Sequence, residues 1–254
     1  MKLVTFNIRC DYGQDGENNF IYRKPLILDK LKKEQADILC FQEVLPHVAI
    51  WLRDNLNDYT VVGCGREADL SGEQMTIAYN KSKYELLELK FFWLSPTPNI
   101  PGSRFYEQSD CPRMCTVGLF RDLVKNQTFR VYNTHLDHIS SQAREQGLLV
   151  ILNKLKEESN LMPLSPIILT GDFNDTPNSK LLHTINKYNY LVDITKDVQG
   201  SFHDFGKQVN IDKIDYIFAE NAFSCQEVKV WDDCVNGVYL SDHYPICVDI
   251  LLKE

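Results

Sequence analysis

The feature that most constrains the fold of this 254-residue chain is a succession of short apolar runs repeated from end to end. They fall at Lys2–Arg9, Asp37–Glu43, Tyr59–Gly63, Gln74–Asn80, Tyr84–Leu94, Thr116–Asp122, Thr128–Leu136, Ile167–Thr170, Ile214–Ala219, Ser224–Trp231 and Pro245–Leu252. Such runs, bounded by Gly, Pro, Asn or Asp, read as strands. Only four stretches carry helical spacing. Arg23–Gln35 places Leu26, Ile27, Lys30 and Leu31 on one side, and Pro46–Asn55 opens with Pro in its first turn. Ser140–Glu158 is amphipathic through Leu148, Leu149, Ile151, Leu152 and Leu155, and Asn178–Lys187 is a weaker fourth. Many strands, few helices and no low-complexity linker or fixed-period repeat predict an α/β chain of two packed mixed sheets with helices outside, in one domain over 1–254.

Charge and composition remove several classes of function. The formal charge of −8 (27 basic against 35 acidic residues) comes without a Lys/Arg-rich block, so no extended duplex-binding groove is expected. No apolar run reaches the length of a membrane-spanning helix. The opening Met1-Lys2-Leu3-Val4-Thr5-Phe6-Asn7 turns polar too soon for a secretion signal, and the chain reads as cytoplasmic. Eight cysteines without a CxxC pair read as structural thiols rather than a zinc site.

The polar residues at the ends of the runs carry the chemistry. In Gly171-Asp172-Phe173-Asn174, which follows Ile167-Ile168-Leu169-Thr170, side chains two apart point the same way along an extended chain. That sets the Asp172 carboxylate beside the Asn174 carboxamide at the mouth of a sheet, suited to holding a water and a phosphate oxygen. Asn7, Glu43 and His135 close or nearly close their own strands, Asp215 opens one, and Asp242 and His243 precede the last. Singly, each is an ordinary turn, cap or core residue. Together, they supply carboxylates, carboxamides and two imidazoles at strand ends.

Thr5-Phe6-Asn7, Phe41-Gln42-Glu43, Asn133-Thr134-His135-Leu136, Gly171-Asp172-Phe173-Asn174, Ile214-Asp215-Tyr216 and Ser241-Asp242-His243-Tyr244-Pro245 resemble, in order, the motifs of the endonuclease/exonuclease/phosphatase (deoxyribonuclease I-like) superfamily. The spacing is most similar to a compact bacterial branch akin to nocturnin-type enzymes. The resemblance implies a four-layer α/β sandwich and Mg²⁺- or Mn²⁺-dependent hydrolysis of a phosphate ester. By the same resemblance, Glu43 binds the cation with Asn7 and Asp242 close to it, and hard oxygen ligands suit such an ion. Asp172 activates water, Asn174 holds a phosphate oxygen, Asp215 fixes His243 against the phosphate, and His135 stabilises charge from the other side.

Arg113, whose fork suits a phosphate, is a further candidate for substrate contact, with His138, Glu73 and His203. Trp93 reads as part of a buried strand. The expected partner is a phosphate ester: a nucleotide, an oligonucleotide or a sugar or lipid phosphate, as monoester or diester. Oligomeric state is not legible. Two other readings compete: a catalytically silent binding module of the same fold, and a glycosidase using Glu43 and Asp172 as paired carboxylates, which leaves Asn7, Asn174, His135 and His243 without roles.

Overall fold

The computed structural model describes residues 1–188 and 190–253. Two six-stranded sheets pack face to face with helices on their outer faces. The first half of the chain runs β1 (Lys2–Asn7), α1 (Phe20–Glu34), β2 (Ile38–Val44), α2 (Pro46–Asn55), β3 (Tyr59–Val62), β4 (Gln74–Asn80) and β5 (Tyr84–Trp93). It continues through β6 (Met114–Asp122), β7 (Thr128–His135), α3 (Ser141–Leu161), β8 (Ile167–Asp172), α4 (Lys180–Asn186) and β9 (Leu191–Asp193). The last part holds β10 (Asp215–Glu220), β11 (Phe223–Val230), β12 (Cys234–Val235), β13 (Val238–Tyr239) and β14 (Ile246–Leu252).

Sheet one has the order β11-β14-β1-β2-β4-β3 and sheet two the order β5-β6-β7-β8-β10-β9. Each contains one parallel pair, β1–β2 and β7–β8, and each pair is joined by a crossover helix, α1 or α3. Parallel neighbours require such a crossover. The inner layer between the sheets includes Leu3, Ile38, Ile77, Val131, Ile168 and Ile217. The outer layers bury α1 and α2 against sheet one and α3 and α4 against sheet two. Each fully buried Leu, Ile or Phe contributes roughly 1.5–3 kcal/mol of apolar transfer free energy.

All eleven expected strands form, Gln74–Asn80 with the expected bounds and the other ten with shifted ends. Helix α1 begins at Phe20, before the expected Arg23, which leaves Pro25 inside the helix. The carbonyl that Pro25 cannot satisfy belongs to Ile21, a 60% exposed residue that water can serve. Strand β8 runs on through Gly171 and Asp172. At Gly171, φ is +144° and a Cβ would lie 1.9 Å from the Thr134 carbonyl oxygen, so only glycine lets β8 pass β7 here.

Beneath the strand ends, polar side chains clasp the sheets together. Asn133 of β7 donates to the Phe41 and Thr76 carbonyls at 2.9 and 3.0 Å and accepts from Gln42 Nε2 at 2.7 Å. Asn133 and Gln42 are wholly buried. Replacing Asn133 by Ala leaves a buried amide and two carbonyls short of partners. We expect Asn133→Ala to lower the unfolding free energy by about 3 kcal/mol. An unchanged denaturant midpoint would show that the clasp does not hold the sheets.

Candidate active site

Strand register alone assembles one wall of the site. His135 pairs with Asp172 across β7–β8, and Asp172 pairs with Asp215 across β8–β10, so the three residues form one row at the end of sheet two. On sheet one, Asn7 pairs with Gln42 across β1–β2. The register of β2 against β4 shifts between Phe41 and Val44, where two residues of β2 oppose Met75 alone. Glu43 lies in this bulge with φ of +62°, a left-handed conformation costly for a non-glycine residue. Regular alternation would send Glu43 toward the helices with Phe41; the bulge aims it into the cleft instead.

Asn7 joins the two sheets at the cleft. Its Nδ2 donates to Glu43 Oε1 and to Asp172 Oδ2, both at 3.0 Å, while its Oδ1 accepts from the Arg9 backbone N–H at 3.0 Å. Asn7 therefore meets its neighbours as a donor to two carboxylates, with its own oxygen already engaged. Glu43 Oε2 accepts from the Cys10 N–H at 2.8 Å. Burial opposes its charge, but the hydrogen bonds from Asn7 and Cys10 together with the His243 and Arg9 charges hold Glu43 below the usual carboxylate range.

Asp172 is 1% exposed. Burial, and then the neighbouring Asp215 charge, push its carboxyl up to about 7. Its Oδ1 accepts from the Asn174 backbone N–H at 2.8 Å. His243 donates from Nδ1 to Asp215 Oδ2 at 2.7 Å, and its Nε2 lies 3.8 Å from Asp172 Oδ2. Burial works against the imidazolium, but Asp215 overcomes it and raises His243 to about 10. At neutral pH, both ring nitrogens of His243 then carry protons. Ligand atoms of Asp172, Asp215 and His243 lie within 4.8 Å of one another, and within this trio the hydrogen bond is the one between His243 and Asp215.

His135 is the opposite case. Burial, with Arg113 and Arg66 nearby, holds it well below the ordinary value, so the ring is neutral. Its Nε2 accepts from Asn174 Nδ2 at 2.9 Å, and that amide also donates to the Leu136 carbonyl at 3.1 Å. Asn174 reaches this position through a left-handed turn at φ +49°, not through the extended alternation expected from sequence.

The cleft, about 360 Å³, is lined by the acidic residues Glu43, Asp172, Asp242 and Glu73 and by the cations Arg9, Arg66 and Arg113. Burial raises Asp242 and Glu73, and the Glu43 charge adds to both shifts. Crowded carboxylates of this kind suit a divalent cation with a preference for oxygen. One positive group is already drawn in: Arg9 Nη1 lies 3.4 Å from Asp242 Oδ2, and Asp15 holds Arg9 from behind. Glu43 has no Lys, Arg or His within ion-pair distance among the described residues.

Of the further candidates, Arg113, His138 and Glu73 line the cleft. Arg113 donates from Nη2 to His138 Nδ1 at 2.8 Å, which fixes the neutral imidazole with its proton on Nε2. Glu73 accepts from Arg66 at 2.6 and 3.1 Å. His203 is not in the cleft lining. It stacks on Tyr244 at 3.8 Å between ring centroids and accepts from the Gly206 N–H, while its neighbour Phe202 faces the cleft and packs 4.9 Å from the His243 ring. Arg9, Arg66 and Phe202 are cleft residues that sequence reading missed. Trp93 is buried as expected, and its Nε1 donates to the Arg66 carbonyl at 2.6 Å.

The family model described as "Endonuclease/Exonuclease/phosphatase family" matches residues 4–243. An endonuclease/exonuclease/phosphatase from Bacteroides vulgatus is 34% identical, with a TM-score of 0.92 over 99% of this chain and 98% of its own. A functionally unknown conserved protein from Enterococcus faecalis V583 is 30% identical, with a TM-score of 0.91 and full coverage of both chains. A mannosyl-6-phosphatase from Bacteroides thetaiotaomicron VPI-5482 is 26% identical, with a TM-score of 0.90 over 99% of each chain. No curated protein sequence matches significantly. The family match over residues 4–243 and the 34% identity across the whole fold show that this chain belongs to the endonuclease/exonuclease/phosphatase family.

Proposed function

We propose that the chain, acting as one domain, is a divalent-metal-dependent hydrolase of phosphate esters of small polar compounds on the scale of a sugar phosphate. The observation that carries this reading is Asp172, held between the Asn7 carboxamide and the proton-bearing His243 in a buried row of strand-end residues. The 360 Å³ cleft suits a small ester, and the similar mannosyl-6-phosphatase acts on one.

Glu43 and Asp242 would hold Mg²⁺ or Mn²⁺, with Asn7 orienting Glu43. A bound cation supplies positive charge to the phosphate and favours the ionised state of nearby acids. Asp172, pushed up to about 7, is matched to taking a proton from the attacking water near neutral pH. His243 presents its Nε2 proton to a phosphate oxygen, with Asp215 maintaining the imidazolium as charge builds. His135 is neutral, so it contributes a hydrogen-bonding ring rather than a charge. Asn174, with its amide donors on His135 and Leu136, orients that ring. Arg66, Glu73, Arg113 and His138 form the far wall, where alternating donors and acceptors suit the hydroxyl groups of the alcohol portion.

The direct test is a panel of sugar phosphates, nucleotides, dinucleotides and oligonucleotides, assayed with Mn²⁺ or Mg²⁺ and again with chelator. Small monoesters should be hydrolysed fastest, and the chelator should abolish turnover. Glu43→Gln and Asp172→Asn should each lower kcat by at least ~100-fold. Wild-type rates in either variant, or metal-independent cleavage, would overturn the reading.

The rate should depend on pH in a way set by two groups. Asp172 acts as a carboxylate, so the rate rises along an acid limb at or below pH 7, because a bound cation favours the ionised form. His243 acts as an imidazolium, a form present below its folded value and lost as pH rises through about 10, which sets the alkaline limb. Asp215→Asn removes the partner that raises His243. It should bring the alkaline limb down by at least ~1 pH unit. An alkaline limb that stays in place in this variant would contradict the pairing.

A further inference from the structure

Arg23, in the first turns of α1, is 0% exposed, and no carboxylate lies within ion-pair distance of it among the described residues. All of its hydrogen-bonding partners are backbone carbonyls. Nε donates to Asn18 at 2.7 Å, Nη1 to Ile8 at 2.7 Å and Leu240 at 2.9 Å, and Nη2 to Arg9 at 3.3 Å. The rings of Phe20 and Phe205 lie 5.4 and 5.9 Å from the guanidinium carbon.

Three of those carbonyls, of Ile8, Arg9 and Leu240, belong to the segments that carry the proposed cation-binding end of the cleft. Ile8 and Arg9 follow Asn7 directly and precede Cys10, whose N–H holds Glu43. Leu240 precedes Ser241, Asp242 and His243. A second, smaller tie crosses the same gap, where Ser241 Oγ donates to the Asn7 carbonyl at 2.7 Å. A buried guanidinium without a counter-ion is a poor device for stability, since an apolar side chain of similar volume avoids its desolvation. What the planar fork does provide is a fixed spacing between two loops.

We propose that Arg23 is a positioning residue that sets the distance between the Asn7–Glu43 side and the Asp242 side of the site, and through it the affinity for a divalent cation. This rests on the metal-dependent reading above. Lys retains the charge and loses the fork, so it cannot hold all of the carbonyls in one plane.

The test is a Mn²⁺ titration of the folded protein, followed by the electron paramagnetic resonance signal of free Mn²⁺, for wild type, Arg23→Lys, Arg23→Met and Leu155→Ala. Leu155 is wholly buried on α3 against sheet two, so Leu155→Ala lowers the melting temperature without touching either loop. Arg23→Lys should weaken Mn²⁺ binding by roughly 10-fold or more, with kcat at saturating Mn²⁺ within a few-fold of wild type. Leu155→Ala should bind Mn²⁺ as wild type does. If Arg23→Met does not fold, Arg23→Lys carries the test. Wild-type affinity in Arg23→Lys, or equal weakening in Leu155→Ala, overturns the positioning role. A wild-type protein that binds no Mn²⁺ instead overturns the metal-dependent reading itself.

Discussion

The site depends on one carboxamide. Asn7 stands at the end of a sheet-one strand and gives its two amide protons to Glu43 on its own sheet and Asp172 on the other. Each carboxylate gains a donor, and neither can move without loosening the other. Because the Asn7 oxygen is pinned by the Arg9 N–H, the amide has one orientation. The Asn133–Gln42 clasp lies below it and keeps the sheets at the spacing the bridge requires. Packing apolar faces brings the sheets together without direction. The carboxamides fix which strand end faces which.

The two sheets repeat one plan, which explains where the cleft lies. The crossover pair β1–β2 in sheet one corresponds to β7–β8 in sheet two, and β4 flanks the first pair as β10 flanks the second. Asn7 and Glu43 thus occupy the strand ends that His135 and Asp172 occupy opposite. Similar frames carry different side chains: one side gathers carboxylates, and the other pairs imidazoles with carboxylates and an amide. No repeat is visible in the sequence because loop lengths differ between the halves, and only the strand order is shared.

The main strands were legible because each is long enough to show its pattern. The pairs Cys234–Val235 and Val238–Tyr239 and the short Leu191–Asp193 were not, since two or three residues carry no period. Site candidates at strand ends were legible for a related reason: a polar residue closing an apolar run stands out. Arg9, Arg66 and Phe202 enter from loops, where no local pattern marks them. His203 was misplaced because Phe202 bridges to His243 and faces the cleft, which sends the next side chain to Tyr244. Arg23 did leave a signal. It stands four residues before Ile27 and eight before Leu31, in the stripe that α1 buries, where a charge is out of pattern.

The bulge in β2 makes the chemistry separable from the fold. Gln42 and Glu43 together oppose one residue of β4, and Val44 rejoins the regular ladder beyond them. Without Glu43, β2 would oppose β4 one residue to one, with Phe41 and Val44 still on the helix side and Gln42 still on Asn133, while the carboxylate would be gone from the cleft. A register defect that looks like a flaw in the sheet is thus what carries this carboxylate into the cleft.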